Sequence, residues 1–135
     1  MRVVRVLMVE DDADVAGMYR LRLESDGFVV QVAGAGEVAL ALASRCWWDL
    51  VLLDMGLPGM DGLQVLGKLR ADPRTSALRV AILSNQDEPD VIERCIGLGA
   101  IAYLVKVRTT PAQLSTCVVR WAASPGVAWP WTVLA

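Results

Sequence analysis

Six polar residues directly follow short apolar segments of this sequence, and their types could together handle a phosphoryl group. They are Glu10, Asp11, Asp12, Asp54, Ser84 and Lys106. Crowded carboxylates repel one another, and a hard divalent cation such as Mg²⁺, which prefers oxygen ligands, is the simplest way to stabilise them. A hydroxyl and an ammonium on the far side would suit the remaining oxygens of a phosphoryl group. These residue types therefore predict a carboxylate nucleophile, a metal and two phosphate-holding groups.

The composition excludes several other kinds of site. The 135 residues contain no histidine, which excludes a Ser-His-Asp triad, a Cys-His pair and a histidine-ligated zinc. It also means that the chain cannot carry a phosphoryl group on its own imidazole. Thirteen basic and 15 acidic residues give a net charge of −2, so there is no basic excess for a polyanion and we expect no direct nucleic-acid binding.

The cysteines and the apolar runs indicate a cytoplasmic protein without membrane contact. Cys46, Cys95 and Cys117 are odd in number, far apart and not in a C-x-x-C motif. This argues against a disulfide framework and favours a reducing compartment. The apolar runs are short and are interrupted by charged residues or glycine, so none is long enough to cross a membrane.

Five short apolar segments alternate along the chain with segments of helical spacing. The apolar segments are Val3–Val9, Phe28–Val32, Leu50–Leu53, Val80–Leu83 and Ile101–Val105. Runs that are apolar at nearly every position are typical of strands buried on both faces of a parallel sheet. We therefore expect an α/β domain over residues 1–124, with a doubly wound five-stranded parallel sheet and helices on both faces. Ligands of such sheets bind beyond the carboxyl ends of the strands, where all six polar residues should meet.

Helical stripes and boundary residues support the intervening helices. The clearest stripe is formed by Leu114, Cys117, Val118, Trp121 and Ala122. Thr110, Pro111 and Gln113 supply the cap, the first-turn proline and the capping-box partner of that helix. Val15, Met18 and Leu21 fit the first helix less cleanly. After the last helix, residues 125–135 form an apolar, tryptophan-containing tail in which we expect no effector domain.

Four motifs resemble, in order and spacing, the receiver domain of two-component response regulators over residues 3 to 124. They are VLMVEDD (6–12), LVLLDMGLPGMDG (50–62), VAILS (80–84) and AYLVK (102–106). The resemblance implies the flavodoxin-like receiver fold, with strand order 2-1-3-4-5 and five helices. It also implies a signal-transduction module rather than an enzyme, although such a module catalyses its own phosphotransfer and slow autodephosphorylation.

The resemblance further implies the phosphoacceptor and the metal site. Asp54 matches the aspartate that accepts the phosphoryl group. Glu10 and Asp11 align with the acidic pair that binds Mg²⁺, together with Asp54 and the backbone carbonyl of Gly56. The phosphoryl donor in this family is a phosphohistidine on a partner, which is here expected to be a sensor histidine kinase or a phosphotransfer protein.

The same resemblance implies how the signal would leave the site. Ser84 and Lys106 match the residues that take the phosphoryl oxygens. Tyr103 matches the switch aromatic, which turns inward when the hydroxyl residue moves toward the phosphate. The surface of the fourth helix, fifth strand and fifth helix is expected to respond. It would contact a downstream protein target and could form a dimer.

Two residues depart from the family pattern beside the expected site. Val107 follows Lys106 where the family usually has a proline in a cis bond. A cis bond before valine would cost about 3 kcal/mol relative to trans, so we expect a trans bond here. Asn85 follows Ser84 where the family usually has a smaller residue, and its bulk is expected to crowd phosphate access. Gly56 and Gln86 occupy variable positions that tune dephosphorylation, so the sequence does not set the acyl-phosphate lifetime.

Two alternatives account for less of the sequence. A phosphatase with an aspartate nucleophile would use D-x-D, but position 56 is glycine and the second acid is missing. A dinucleotide-binding protein is suggested by Gly34, Gly36 and Ala39, which fit G-x-G-x-x-A. That motif follows the second strand, however, and gives no role to Glu10 or Lys106.

A third alternative keeps the receiver fold but not its chemistry. A degenerate receiver would serve as a phosphorylation-independent docking module, and the departures at Asn85 and Val107 leave this possibility open. The presence of Asp54, Ser84 and Lys106 together with the acidic pair favours the active form. Uptake of a phosphoryl group by Asp54 distinguishes the two.

Overall fold

The computed structural model describes residues 3–123 and 133–134, in which strands and helices alternate along the chain. The strands are β1 (Arg5–Val9), β2 (Val29–Ala33), β3 (Leu50–Leu53), β4 (Val80–Ser84), β5 (Ala102–Val105) and β6 (Val133–Leu134). The helices are α1 (Ala13–Ser25), α2 (Gly36–Arg45), α3 (Gly62–Ala71), α4 (Pro89–Gly97) and α5 (Pro111–Ala123). A one-turn 3-10 helix, Lys106–Arg108, lies between β5 and α5.

The strands form one parallel sheet in the order β2-β1-β3-β4-β5-β6. The predicted order 2-1-3-4-5 is therefore confirmed. Every residue of β3, β4 and β5 is buried, as expected for strands that are covered on both faces. Because β1 pairs with β3 and Val9 lies opposite Leu53, the residues that follow these two strands are neighbours.

The sheet has one more strand than the five predicted. Val133 and Leu134 pair in parallel with Tyr103 and Leu104 of β5, within a segment that we assigned to the tail. The outer edge of β5 offers backbone hydrogen-bonding groups that an apolar, extended segment can satisfy. The tryptophans of the tail, Trp129 and Trp131, lie outside the described residues.

Helices cover both faces of the sheet and divide the core into two layers. Buried residues of α2, α3 and α4 pack on one face, and buried residues of α1 and α5 pack on the other. Thr110 and Gln113 form the predicted capping box before α5, since each backbone amide donates to the other residue's side chain. α1 and α5 are the longest of the described helices, at 13 residues each. No described helix combines the length and hydropathy that a bilayer span requires.

The predicted stripe is right for α5, whereas in α1 only Val15 of the three predicted residues packs against the core. In α5, Leu114, Val118 and Trp121 are buried. In α1, Met18 and Leu21 are 48% and 74% exposed, and the buried residues are instead Ala16, Tyr19 and Leu23. The inward face of α1 includes a small alanine and a tyrosine with a polar end, so hydrophobicity alone selects the wrong face.

Candidate functional site

Three carboxylates meet at the carboxyl edge of the sheet. Glu10 and Asp11 follow β1, and Asp54 follows β3. One carboxylate oxygen from each lies within 4.8 Å of the others. Glu10 and Asp54 are 5% and 6% exposed, whereas Asp11 is exposed. The sheet therefore brings together three of the predicted metal-binding residues, with two of them largely withdrawn from water.

The ammonium group of Lys106 bridges two of these acids. Its Nζ donates to Glu10 Oε1 at 2.6 Å and to Asp54 Oδ2 at 3.1 Å. Burial raises the pKa of Glu10 above its usual value, and repulsion by Asp54 adds to this effect, while hydrogen bonds from Lys106 and the Asp12 amide oppose it. Burial alone would lower the pKa of Lys106, but its contacts with Glu10 and Asp54 outweigh burial and raise it. Lys106 is thus held as a cation within the site.

Local backbone contacts fix the acids that follow β1. The Glu10 amide donates to the carbonyl of Ala33 in β2 at 3.0 Å, which extends the sheet by one bond. The Asp12 amide donates to Glu10 Oε2 at 3.1 Å. Asp12 itself caps α1, because its carboxylate accepts from the amides of Asp14 and Val15. The third acid of the run therefore orders the loop and the helix start.

Asp54 is fixed by the loop that leads to α3. Its amide donates to the Val9 carbonyl, and its Oδ1 accepts from the Gly56 amide at 3.1 Å. Gly62, the first residue of α3, packs so closely that a Cβ atom there would lie 2.0 Å from the carbonyl oxygen of Asp54. The start of α3 therefore rests directly on the backbone of the candidate phosphoacceptor. Gly56, predicted as a ligand through its carbonyl, contributes its amide to the Asp54 carboxylate.

Ser84 and Tyr103 lie next to this cluster, and their hydroxyl groups both contact the backbone of Gln86. Ser84 ends β4 and is 1% exposed, and its Oγ accepts from the Gln86 amide at 3.2 Å. Tyr103 is fully buried, and its hydroxyl donates to the Gln86 carbonyl. Burial raises the pKa of Tyr103 to about 12, while a hydrogen bond with Ser84 lowers it. The Tyr103 ring is thus buried while the Ser84 hydroxyl accepts from the Gln86 amide.

A cleft of about 410 Å³ opens beside Asp54. Among the described residues, its lining includes Glu10, Asp11, Asp54 and Lys106 but not Ser84. The structure thus collects the acids and the ammonium of the predicted site in one cleft, and it places the predicted hydroxyl beside that cleft, on the last residue of β4.

Two contacts at the site were not anticipated from the sequence. The Val107 amide donates to Asn85 Oδ1 at 3.0 Å, so the two departures from the family pattern contact each other. The peptide bond before Val107 is trans, as predicted, since the described residues contain no cis bond.

The second contact comes from Tyr19 in α1, whose hydroxyl donates to the Thr109 carbonyl at 2.7 Å. The only sequence signal for Tyr19 was its spacing with Ala16 and Leu23.

Close packing accounts for Gly36, the second glycine of the G-x-G-x-x-A motif that suggested a dinucleotide-binding site. Gly36 begins α2, and a Cβ there would lie 2.8 Å from Val65 Cγ2 and 3.1 Å from the Met60 carbonyl oxygen. The second glycine of the motif therefore permits close contact between α2, the loop before α3 and α3 itself. Such a contact requires glycine whether or not any ligand is bound.

The arrangement has the parts required for anionic group transfer. A buried carboxylate lies at the wall of an open cleft, a cation contacts it, and two further acids provide oxygens for a hard divalent metal. Such sites work mainly by positioning the reactants and by offsetting developing charge.

Comparison with known proteins agrees with the fold. The family described as "Response regulator receiver domain" matches residues 6–118. A solved structure of the chemotaxis protein CheY4 of Vibrio cholerae superposes with a TM-score of 0.81 at 25% identity, covering 88% of this chain and 98% of that one. The receiver domain of Francisella response regulator 1452 superposes with a TM-score of 0.77 at 29% identity, covering 87% and 94%.

Curated relatives are longer than this chain. The DNA-binding response regulator MtrA of Mycolicibacterium paratuberculosis is 39% identical over 104 residues, which are 76% of this chain and 44% of the relative. The cell cycle transcriptional regulator CtrA of Caulobacter vibrioides is 37% identical over 103 residues, with the same shares. The chain therefore spans less than half the length of these relatives.

Proposed function

The chain belongs to the response regulator receiver domain family of two-component systems, and on that premise we propose that it accepts a phosphoryl group on Asp54 in the presence of Mg²⁺. Receiver domains are signalling modules rather than classical enzymes. The observation that carries the proposal is the meeting of Glu10, Asp11, Asp54 and Lys106 in one cleft at the carboxyl edge of the sheet. The donor would be a sensor histidine kinase or a phosphotransfer protein.

The residues present fit a magnesium ion. Three carboxylate oxygens lie within 4.8 Å of one another, and an all-oxygen donor set suits a hard cation. Glu10, Asp11 and Asp54 would hold the ion, with the Gly56 carbonyl as a further ligand. When bound, Mg²⁺ would neutralise charge on the carboxylates and on the incoming phosphoryl oxygens.

The protein's own groups would carry the transfer as follows. A carboxylate oxygen of Asp54 forms a bond to phosphorus, and the bond from phosphorus to the donor nitrogen breaks, so the electron pair leaves with the imidazole. The Gly56 amide holds Asp54 Oδ1 and limits rotation of the nucleophile. Lys106, which already contacts Asp54 Oδ2, would pair with an oxygen of the acyl phosphate.

The response would travel through Ser84 and Tyr103. A phosphoryl group adds a charge of about −1.5 to −2 and new acceptor oxygens, which would draw the Ser84 hydroxyl from the Gln86 amide. Tyr103 contacts the same loop through the Gln86 carbonyl, so movement of the loop would bias the surface of α4, β5 and α5 between two states. A downstream protein target would bind that surface, or two copies of the chain would dimerise through it.

The test is phosphorylation of the purified chain by acetyl phosphate, followed by intact-mass measurement. With Mg²⁺, we expect one adduct of about 80 Da, the mass of one phosphoryl group. With EDTA in place of Mg²⁺, we expect the adduct to fall to background. No adduct under either condition would favour the alternative, a degenerate receiver that acts as a docking module without phosphorylation.

Lys106→Ala is expected to uncouple phosphorylation from the surface response. Asp54 and the acidic pair remain, so the adduct still forms at saturating acetyl phosphate and Mg²⁺, but the cation that would link the phosphoryl group to β5 is absent. Hydrogen exchange of α4, β5 and α5, measured before and after phosphorylation, should change in the wild type and change much less in the variant. Lys106→Arg, which keeps the charge, serves as the control, and an undiminished change in Lys106→Ala would contradict the role.

A further inference from the structure

We propose that Asn85 is a positioning residue, which holds the loop of Lys106 through the backbone amide of Val107. The consequence for phosphoryl transfer rests on the proposed function, whereas the contact itself does not. Asn85 was expected to hinder access because of its bulk. The geometry points instead to a structural tie between the two strand ends that carry Ser84 and Lys106.

The hydrogen bond between the Val107 amide and Asn85, called the tie from here on, gives a partner to a backbone amide that the turn itself leaves without one. Lys106–Arg108 forms a single 3-10 turn directly after β5, and the first amides of any helix lack partners within that helix. Val107 carries one of these amides, and it donates to Asn85 Oδ1 at 3.0 Å. Since a backbone N–H can only donate, the side-chain oxygen of Asn85 must face it.

The far side of the same turn is anchored independently. The Thr109 hydroxyl donates to the Val105 carbonyl at 2.8 Å, and the Tyr19 hydroxyl donates to the Thr109 carbonyl at 2.7 Å. The Tyr19 hydroxyl also contacts the Lys106 carbonyl at 3.4 Å. All of these bonds hold carbonyl groups of the turn, whereas Asn85 holds its Val107 amide. The backbone from which the lysine side chain extends is thus held on one side by α1 and on the other by the β4–α4 loop.

The tie bears directly on the site because of where its two ends lie. Asn85 follows Ser84 and Val107 follows Lys106, and both line the cleft beside Asp54. Lys106 makes short contacts with Glu10 and Asp54, and such contacts depend on a fixed starting point for a long side chain. Loss of the tie would spread the ammonium over more positions and weaken its preorganisation.

Three variants separate the tie from simple crowding. Asn85→Leu keeps the size and removes the acceptor, Asn85→Ala removes both, and Asn85→Asp keeps an acceptor oxygen. If the tie operates, the leucine and alanine variants both form the acetyl-phosphate adduct about 3- to 10-fold more slowly than the wild type, the range expected for one net hydrogen bond. If crowding dominates, Asn85→Ala reacts faster than the wild type and Asn85→Leu does not slow, and either result overturns the proposal.

A second measurement tests the tie without any phosphorylation. By NMR, we expect the Val107 amide of the full chain to exchange about 3- to 10-fold faster in the leucine and alanine variants than in the wild type, with slow exchange retained in Asn85→Asp. An exchange rate that is the same in all four proteins overturns the tie. If the wild type forms no adduct, the proposed function fails while this measurement still decides the contact.

Discussion

Asp54→Asn is expected to form no adduct with acetyl phosphate and Mg²⁺, a loss of at least about 100-fold in rate. The variant keeps the size and shape of the side chain, and its amide oxygen can still accept from the Gly56 amide, which now bonds Asp54 Oδ1 at 3.1 Å. It lacks the negatively charged oxygen that would attack phosphorus. It also removes one of the three acids that would hold the metal. Intact-mass measurement over time gives the rate directly.

Asp61→Asn supplies the matched control for that experiment. Asp61 lies in the same loop and caps α3, accepting from the Gln64 amide at 2.9 Å. Asparagine caps helices about as well as aspartate, so this variant should fold and should form the adduct at close to the wild-type rate. An adduct that survives in Asp54→Asn would place the acceptor on another residue and remove the basis of the proposed function.

Gly62→Ala is expected to lower the free energy of unfolding by about 3 kcal/mol or more, which corresponds to a fall in Tm of roughly 10 °C. The new methyl group would lie 2.0 Å from the Asp54 carbonyl oxygen and 2.6 Å from the Met55 Cα. Both neighbours are backbone atoms beside a buried strand, so they cannot turn aside as a flexible side chain would. Either α3 or the Asp54 loop must move, and the carboxylate would move with it.

Gly67→Ala is the control, because Gly67 lies in the same helix with nothing within 4 Å of the added Cβ. Alanine is the better helix former, so this variant should be about 0.5–1 kcal/mol more stable than the wild type. Thermal unfolding of both variants measures the difference. Equal stability of the two alanine variants would mean that α3 does not rest on Asp54 as described.

Much of the fold could be predicted because local patterns specify it. Segments such as Leu50–Leu53 are apolar at every position, which distinguishes strands buried on both faces from amphipathic ones. The predicted stripe of α5 is confirmed because large apolar residues mark its inner face. The stripe of α1 was wrong for Met18 and Leu21, which point outward, because its inner face relies on Ala16 and Tyr19.

The sequence by itself determined that Glu10, Asp54 and Lys106 would meet, since parallel strands end at a common edge and each residue directly follows a strand. Only the tertiary structure decided how they meet: Lys106 bridges both acids, Ser84 bonds the Gln86 amide, and Asn85 reaches Val107. The physical reason is the precision that each question requires. Patterns along the chain indicate which residues become neighbours. Which of their atoms form hydrogen bonds depends on tenths of an ångström between segments that are remote in sequence.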